Sequence, residues 1–219
     1  MTYDAVVFDN DGVLTHPTPL DVLRQATVDG FAAVGVDDPS PEHVDAMTMH
    51  VTPGDLEAAS DAYGVDPADL WRERDRAFSR RQVADMEAGR KPLYEDYDAV
   101  RALDVPRGIV STNQHRTIEE ILDFHGIRGD FDAYYGREME AASLEKKKPN
   151  PHYLERALAD LDADPERTLF VGDSQSDVEA AHNAGTDAGF LWRDHRADYD
   201  LAVEPDHELD SLRDLRDVA

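Results

Sequence analysis

Two carboxylates one residue apart, Asp9 and Asp11, follow directly on four apolar residues, Ala5-Val6-Val7-Phe8. The apolar run reads as a short strand buried on both faces. Its end is a costly place for paired negative charge, because like charges this close raise each other's pKa and resist burial unless a cation or a reacting group lies between them. The chemistry on offer is cation binding or reaction at a carboxylate. A polar turn is the alternative, since Asp and Gly are ordinary turn residues and Gly12 lets the chain bend sharply. Three further polar signals stand beside apolar or helical segments: Ser111-Thr112-Asn113 after Gly108-Ile109-Val110, Lys148 in Lys146-Lys147-Lys148-Pro149-Asn150-Pro151, and Gly172-Asp173-Ser174-Gln175-Ser176-Asp177 after Leu169-Phe170-Val171. Each alone has an ordinary reading as a turn, a solvated lysine face or a helix cap through Ser176 or Asp177; together they are much harder to dismiss.

The elements that must position these residues fall into two regions. After Leu14, Thr18-Pro19 predicts a helix start, followed by Leu20, Leu23, Thr27, Phe31 and Val34 at helical spacing up to Gly35. Ser40-Pro41 predicts a second helix carrying Val44 and Met47, and Asp66-Pro67 a third with Leu70, Trp71 and Phe78. Helices without a strand between residues 16 and 91 predict a separate helical module inserted after the first strand. Its arginine run, Arg72, Arg74, Arg76, Arg80 and Arg81, alternates with Glu73, Asp75 and Asp85. Exposed ion pairs are the stronger reading and an anionic ligand the weaker.

From Pro92 the pattern alternates. Tyr97 to Leu103 and Thr117 to Phe124 suit helices, and Arg107 to Val110 is a strand. Asn150-Pro151 opens a helix, Leu169 to Val171 is a strand, and Asp177 to Gly185 is a helix. Gly189 to Trp192 and Leu201 to Val203 read as strands, with a closing helix near Ser211 to Leu215. This is an α/β pattern with a parallel sheet covered on both faces. Ligands of such sheets bind beyond the carboxyl ends of the strands, where the polar signals fall.

The chain has 48 acidic against 22 basic residues, a formal net charge of -26. That field repels nucleic acid and anionic lipid, so neither a nucleic-acid nor a membrane partner is expected. The absence of cysteine removes disulfides, thiolate nucleophiles and thiolate metal sites. With no basic-then-apolar start and no long apolar run, a cytoplasmic protein is expected. Acid spread over the whole chain with few lysines resembles proteins of salt-loving archaea, whose self-repulsion is screened by concentrated salt.

The ordered set Asp9-Asn10-Asp11-Gly12-Val13-Leu14, Ser111, Lys148-Pro149-Asn150-Pro151 and Gly172 to Asp177 resembles the haloacid dehalogenase-like (HAD) superfamily of hydrolases, most of them magnesium-dependent phosphatases. The Asn183-Ala184-Gly185 helix end and the Asp206 to Leu212 segment resemble the family too, so the likeness spans the chain. It implies a Rossmann-like core at 1–15 and 92–219, with a small all-helical cap at 16–91. It also implies roles: Asp9 as nucleophile, forming an aspartyl-phosphate, and Asp11 as proton donor and then base. A Mg²⁺ site would comprise Asp9, Asp11 through its carbonyl, Asp173 and Asp177. Ser111, or Thr112 if the strand is one residue longer, would hold the phosphoryl oxygens together with Lys148. Asp11 separates the chain from the dehalogenases of the superfamily, which lack that acid. His16 stands where many relatives have Asp and is either pocket-lining or a surface residue. The implied substrate is a small phosphorylated metabolite of the phosphoglycolate or sugar phosphate class. A phosphoglucomutase-like transferase and a phospho-acceptor signalling module are the competing readings.

Overall fold

A computed structural model describes residues 3–218, so residues 1, 2 and 219 of the expected core lie outside the described residues. The first strand, β1 (Ala5–Phe8), is followed by four helices, α1 (Leu20–Ala33), α2 (Pro41–Ala46), α3 (Pro53–Tyr63) and α4 (Pro67–Glu87). A short α5 (Asp98–Arg101) leads into β2 (Arg107–Gln114), α6 (His115–His125) and β3 (Ala133–Arg137). Then come α7 (His152–Asp160), β4 (Thr168–Gly172), α8 (Gln175–Ala184), β5 (Asp187–Leu191), β6 (His207–Leu209) and α9 (Leu215–Val218). The six strands form one parallel sheet in the order β3-β2-β1-β4-β5-β6.

The sheet is buried on both faces. Val6 and Phe8 pack with Ile109, Leu169 and Val171 under α6. Ala5 and Val7 pack on the other face with Val110 and Phe170 under α7 and α8. The alternation is the pleat of β1 itself, and it explains why the strand is apolar throughout. The chain order reverses at β1, so the crevice beyond the carboxyl ends of β1, β2 and β4 lies where connections diverge to the two sides of the sheet.

The four helices bury a core of their own: Phe31, Met47, Val51, Leu56, Leu70 and Trp71, joined by Leu144 from the segment before Lys148. Gly30 lets α1 and α4 cross closely, since a Cβ there would sit 2.5 Å from the Arg74 Cα. Ser40 and Asp66 cap α2 and α4 with proline at the first helical position, as the sequence predicts. Thr18 does not cap α1: Pro19 holds the cap position without a side-chain bond, and the Thr18 hydroxyl turns instead to Gln82. The sequence reading passes over α3, which starts on a capping box between Thr52 and Asp55.

Outside the helical segment, β3 goes unanticipated and the last strand is misplaced. Leu201 to Val203 forms no strand; β6 runs from His207 to Leu209, where it pairs with β5 from Gly189 to Leu191. The two linkers to the helical segment run side by side. His16 N–H donates to the Pro92 carbonyl at 3.0 Å and Tyr94 N–H to the Leu14 carbonyl at 3.0 Å. Among the described residues, no helix is long and apolar enough to cross a membrane.

Candidate active site

Beyond Phe8 the chain curls around the Asn10 carbonyl, which accepts the N–H groups of Leu14 at 2.9 Å and Thr15 at 3.0 Å. Gly12 makes the curl possible with a φ of +86°. A Cβ there would also lie 2.4 Å from Asp173 Oδ2, so only glycine fits between the two acidic segments. Asp9 emerges beside β4, its N–H donating to the Val171 carbonyl at 2.8 Å. Asp9, Asp173 and Asp177 are all buried, and each offers a carboxylate oxygen within 4.8 Å of the others.

Lys148 reaches into this cluster. Its Nζ lies 2.9 Å from Asp9 Oδ1 and 2.5 Å from Asp177 Oδ1, and it donates to the Val110 carbonyl at 3.2 Å. Those two carboxylate oxygens are otherwise without a hydrogen-bond partner. Burial pushes the Asp9 carboxyl up to about 7; Lys148 opposes the rise, and the carboxylates of Asp177, Asp173 and Asp11 add to it. Burial works against the Lys148 charge, but Asp177 and Asp9 outweigh it and hold the ammonium above its ordinary range. Three buried carboxylates facing Lys148 and, on Asp173, Arg196 keep an excess of negative charge. The all-oxygen donor set, with Asp9 Oδ1 and Asp177 Oδ1 partnered by Lys148 alone, fits a hard divalent cation.

Asp177 does two jobs. Its Oδ2 accepts from the N–H groups of Asp173 at 3.2 Å and Ser174 at 3.0 Å and from the Ser174 hydroxyl at 2.6 Å, capping α8. Its other oxygen faces Lys148. Gly172 gives it room, because a Cβ there would fall 2.1 Å from the Asp177 Cβ. The β2 strand extends through Gln114, beyond its expected end at Val110. Ser111 is buried at 2 % exposure, next in chain to the carbonyl that Lys148 grips, and its Oγ accepts the Asn113 N–H at 3.2 Å. Thr112 is half-buried and its carbonyl accepts from Arg137 Nε at 3.0 Å.

Asp11 stands apart from the three-carboxylate cluster. Lys91, 1 % exposed, forms an ion pair with its Oδ1, and Asn113 Nδ2 donates to its Oδ2 at 2.9 Å. Burial works against ionisation of Asp11, but Lys91 and then the Asn113 hydrogen bond outweigh it and hold the carboxyl below the usual range. Lys91 also donates to the His16 carbonyl at 3.1 Å and the Thr18 hydroxyl at 3.2 Å.

Sequence reasoning misses Lys91, because no local pattern separates a buried lysine in a linker from a solvated one. It also misses the β5–β6 connection, where Arg196 Nε donates to Asp173 Oδ2 at 2.8 Å and His195 Nε2 lies 2.7 Å from the same oxygen. His16 is exposed, stacks on Tyr94 at 4.0 Å and lines a surface cleft with Arg193 and His195.

The fold is thus a Rossmann-like parallel sheet with an acidic pair at the end of its central strand, a second acidic pair after the neighbouring strand and a buried lysine between Asp9 and Asp177. A family model described as haloacid dehalogenase-like hydrolase matches residues 3–185, and the chain belongs to that family, on its phosphatase branch. It is similar to pyrophosphatase PpaX of Bacillus velezensis, 32 % identical over 213 residues that cover 96 % of this chain and 94 % of the relative. PpaX of Anoxybacillus flavithermus is 31 % identical over 70 % of this chain and 71 % of its own. Among solved structures, CbbY from Rhodobacter sphaeroides in complex with phosphate shares the fold with a TM-score of 0.73 at 24 % identity, covering 98 % of this chain and 96 % of that one. A predicted phosphoglycolate phosphatase from Haemophilus somnus follows at 0.67 and 22 %, covering 99 % and 97 %.

Proposed function

We propose that the protein is a Mg²⁺-dependent phosphatase of small phosphorylated metabolites that works through an aspartyl-phosphate on Asp9. One observation carries the reading: three buried carboxylates whose oxygens lie within 4.8 Å of one another, at the strand end that also bears Asp11, with Lys148 paired to Asp9 and Asp177 and Arg196 to Asp173. Asp9, Asp173, Asp177 and the Asp11 carbonyl are the groups that would hold Mg²⁺. When bound, the cation supplies neutralisation of phosphoryl charge and of the carboxylates around it.

The chain's own residues do the rest. Asp9 forms a bond to phosphorus as the bond from phosphorus to the leaving oxygen breaks, and Asp11 gives that oxygen its proton. In the second half Asp11 takes a proton from water as the water oxygen bonds to phosphorus and Asp9 is released. Lys148 and the hydroxyl of Ser111, or in its place that of Thr112, hold the phosphoryl oxygens. Residues 16–91 act as a helical cap over the core at 1–15 and 92–219, admitting small substrates and excluding water and macromolecules.

Similarity to PpaX puts pyrophosphate among the first substrates to try, beside phosphoglycolate and sugar phosphates. A mutant of CbbY has been solved in complex with xylulose-(1,5)bisphosphate, which adds bisphosphates of small sugars. The test is phosphate release from such a panel at high salt, with Mg²⁺ and with chelator. Release that stops on chelation is expected. Release indifferent to chelation, or none from any compound, overturns the reading, and isomer interconversion with little free phosphate would assign a mutase instead.

A further inference from the structure

Asp11 is held by a ring of side chains that the mechanism above does not use. From Asp11 the ring runs to Lys91, to the Thr18 hydroxyl at 3.2 Å, to Gln82 Oε1 at 3.3 Å, to Asn113 and back to Asp11 at 2.9 Å. Gln82 is the member contributed by the middle of α4, and it is buried at 3 % exposure. A buried glutamine facing the core from mid-helix packs no better than an apolar residue and must satisfy its amide.

It does so with a reciprocal pair of bonds to Asn113, beside the Thr18 hydroxyl bond. Gln82 Nε2 donates to Asn113 Oδ1 at 3.0 Å, and Asn113 Nδ2 donates back to Gln82 Oε1 at 2.8 Å. The direction of the Asn113 amide is set by its oxygen, which also accepts the Gln114 N–H at 2.9 Å; its second N–H hydrogen is then the one turned to Asp11. Seven residues back along α4, Asp75 accepts from Gln114 Nε2 at 3.1 Å. One face of the helix thus meets two consecutive residues at the end of β2, and only the Gln82 contact continues to Asp11.

We propose that Gln82 is a positioning residue for proton transfer at Asp11, fixing the Asn113 amide and through it the carboxylate. The inference rests on the phosphatase reading. It makes the seating of α4 a condition for proton donation and leaves phosphoryl binding to Lys148 untouched.

The test compares two substrates with Mg²⁺ present: glycerol phosphate, whose alkoxide must be protonated as the bond from phosphorus breaks, and acetyl phosphate, whose acetate leaves without a proton. Gln82→Met keeps the volume and removes the amide. With its melting curve and KM close to wild type, the single-turnover rate of phosphoryl transfer to Asp9, the step that precedes the hydrolysis common to both substrates, should fall about tenfold or more with glycerol phosphate while staying within about twofold with acetyl phosphate. Gln82→Glu, which keeps an acceptor for Asn113 Nδ2, should restore part of the glycerol phosphate rate. Gln114→Ala, which loosens the neighbouring contact without touching Asp11, should affect both substrates alike. An equal fall on both substrates in the Gln82 variants, or no fall on either, overturns the proposal. If Gln82→Met does not fold, Gln82→Glu carries the same comparison. Wild-type protein inactive on both substrates would instead overturn the phosphatase reading and the inference with it.

Discussion

Asp9 and Asp11 are two residues apart in sequence and opposite in charge environment. Asp9 is buried among carboxylates and pushed up to about 7, whereas Lys91 and Asn113 hold Asp11 below the ordinary range against the effect of burial. In the metal-free site this is the reverse of what a nucleophile and a proton donor need: Asp9 must be ionised to attack, which a bound cation would favour, and Asp11 must hold a proton to give one, which loosening of the Lys91 ion pair would favour. Asp9→Asn should abolish turnover with the fold intact, as read by phosphate release and circular dichroism; retained turnover would move the nucleophile elsewhere. The same variant reports on the electrostatics. Between the unfolded carboxylate pKa and about 7 the folded protein keeps a proton at Asp9 that the unfolded chain has released, so the stability from this group falls as pH rises. Asp11 acts in the other sense, contributing stability above its unfolded pKa that is lost as pH falls through its lower folded value. In chelator, Asp9→Asn should therefore melt above wild type at about pH 8, with the gap closing towards about pH 4. Equal melting temperatures at the higher pH would contradict the crowding of charge around Asp9.

At the scale of elements, α4 is the piece that ties the helical segment to the sheet. Asp75 on α4 is fully buried between two arginines: Arg137 of β3 makes two hydrogen bonds to it, and Arg74 Nη1 donates at 2.8 Å. Arg74 goes on to grip the carbonyls of Met47 at 2.9 Å and Thr48 at 2.7 Å. Asp75→Ala would leave two buried guanidinium groups without their carboxylate and should destabilise the protein by about 3–5 kcal/mol, measured by denaturant unfolding. A loss below about 1 kcal/mol would mean the pair is worth no more than a surface bridge.

The same helix shows what the sequence could and could not reveal. Arg76 pairs with Glu73 as expected, and Arg72 and Arg81 make pairs nearer the surface with acids outside the expected set, Asp69 and Asp29. Arg74 sits in the same run and reads the same way, yet its environment is set by the loop after α2 and by β3, which no local pattern encodes. The strands β1 and β4 were legible because burial on both faces demands unbroken apolar runs, and the residues that end those runs are the ones that face the site. Edge strands escape that rule: Ala133 to Arg137 mixes tyrosine, glycine and arginine, and His207 to Leu209 is held by pairing with β5 rather than by its own composition. The four acidic positions and Lys148 were visible as strand-end and pre-helix signals. Asn113 was visible only as the end of the Ser111-Thr112-Asn113 signal, and Lys91 and Gln82 not at all, because their meaning exists only where three distant segments meet.

For the whole molecule the dominant quantity is the net charge of -26. Many of its basic residues are consumed in pairs, several of them buried, so the exposed surface is acidic and self-repelling. Screening should stabilise it. We propose that the protein is adapted to concentrated salt, and its melting temperature should rise steadily from about 0.1 M to about 2 M KCl, the range over which the Debye length shrinks from about 10 Å to below 3 Å. Full stability after dialysis into low salt would argue against that adaptation.

The paired linkers, joined where His16 meets Pro92 and Tyr94 meets Leu14, have a consequence for how such a molecule can diversify. The chain leaves the sheet and returns to it through a single seam, so the helical segment can lengthen, shorten or be exchanged without shifting one strand. If that segment selects the substrate, as proposed, selection on what the enzyme admits is uncoupled from selection on its carboxylates. The freedom is bounded where side chains cross between segment and core, since a replacement segment would still owe the core a cation where Lys91 stands, an amide where Gln82 stands and a carboxylate where Asp75 meets Arg137.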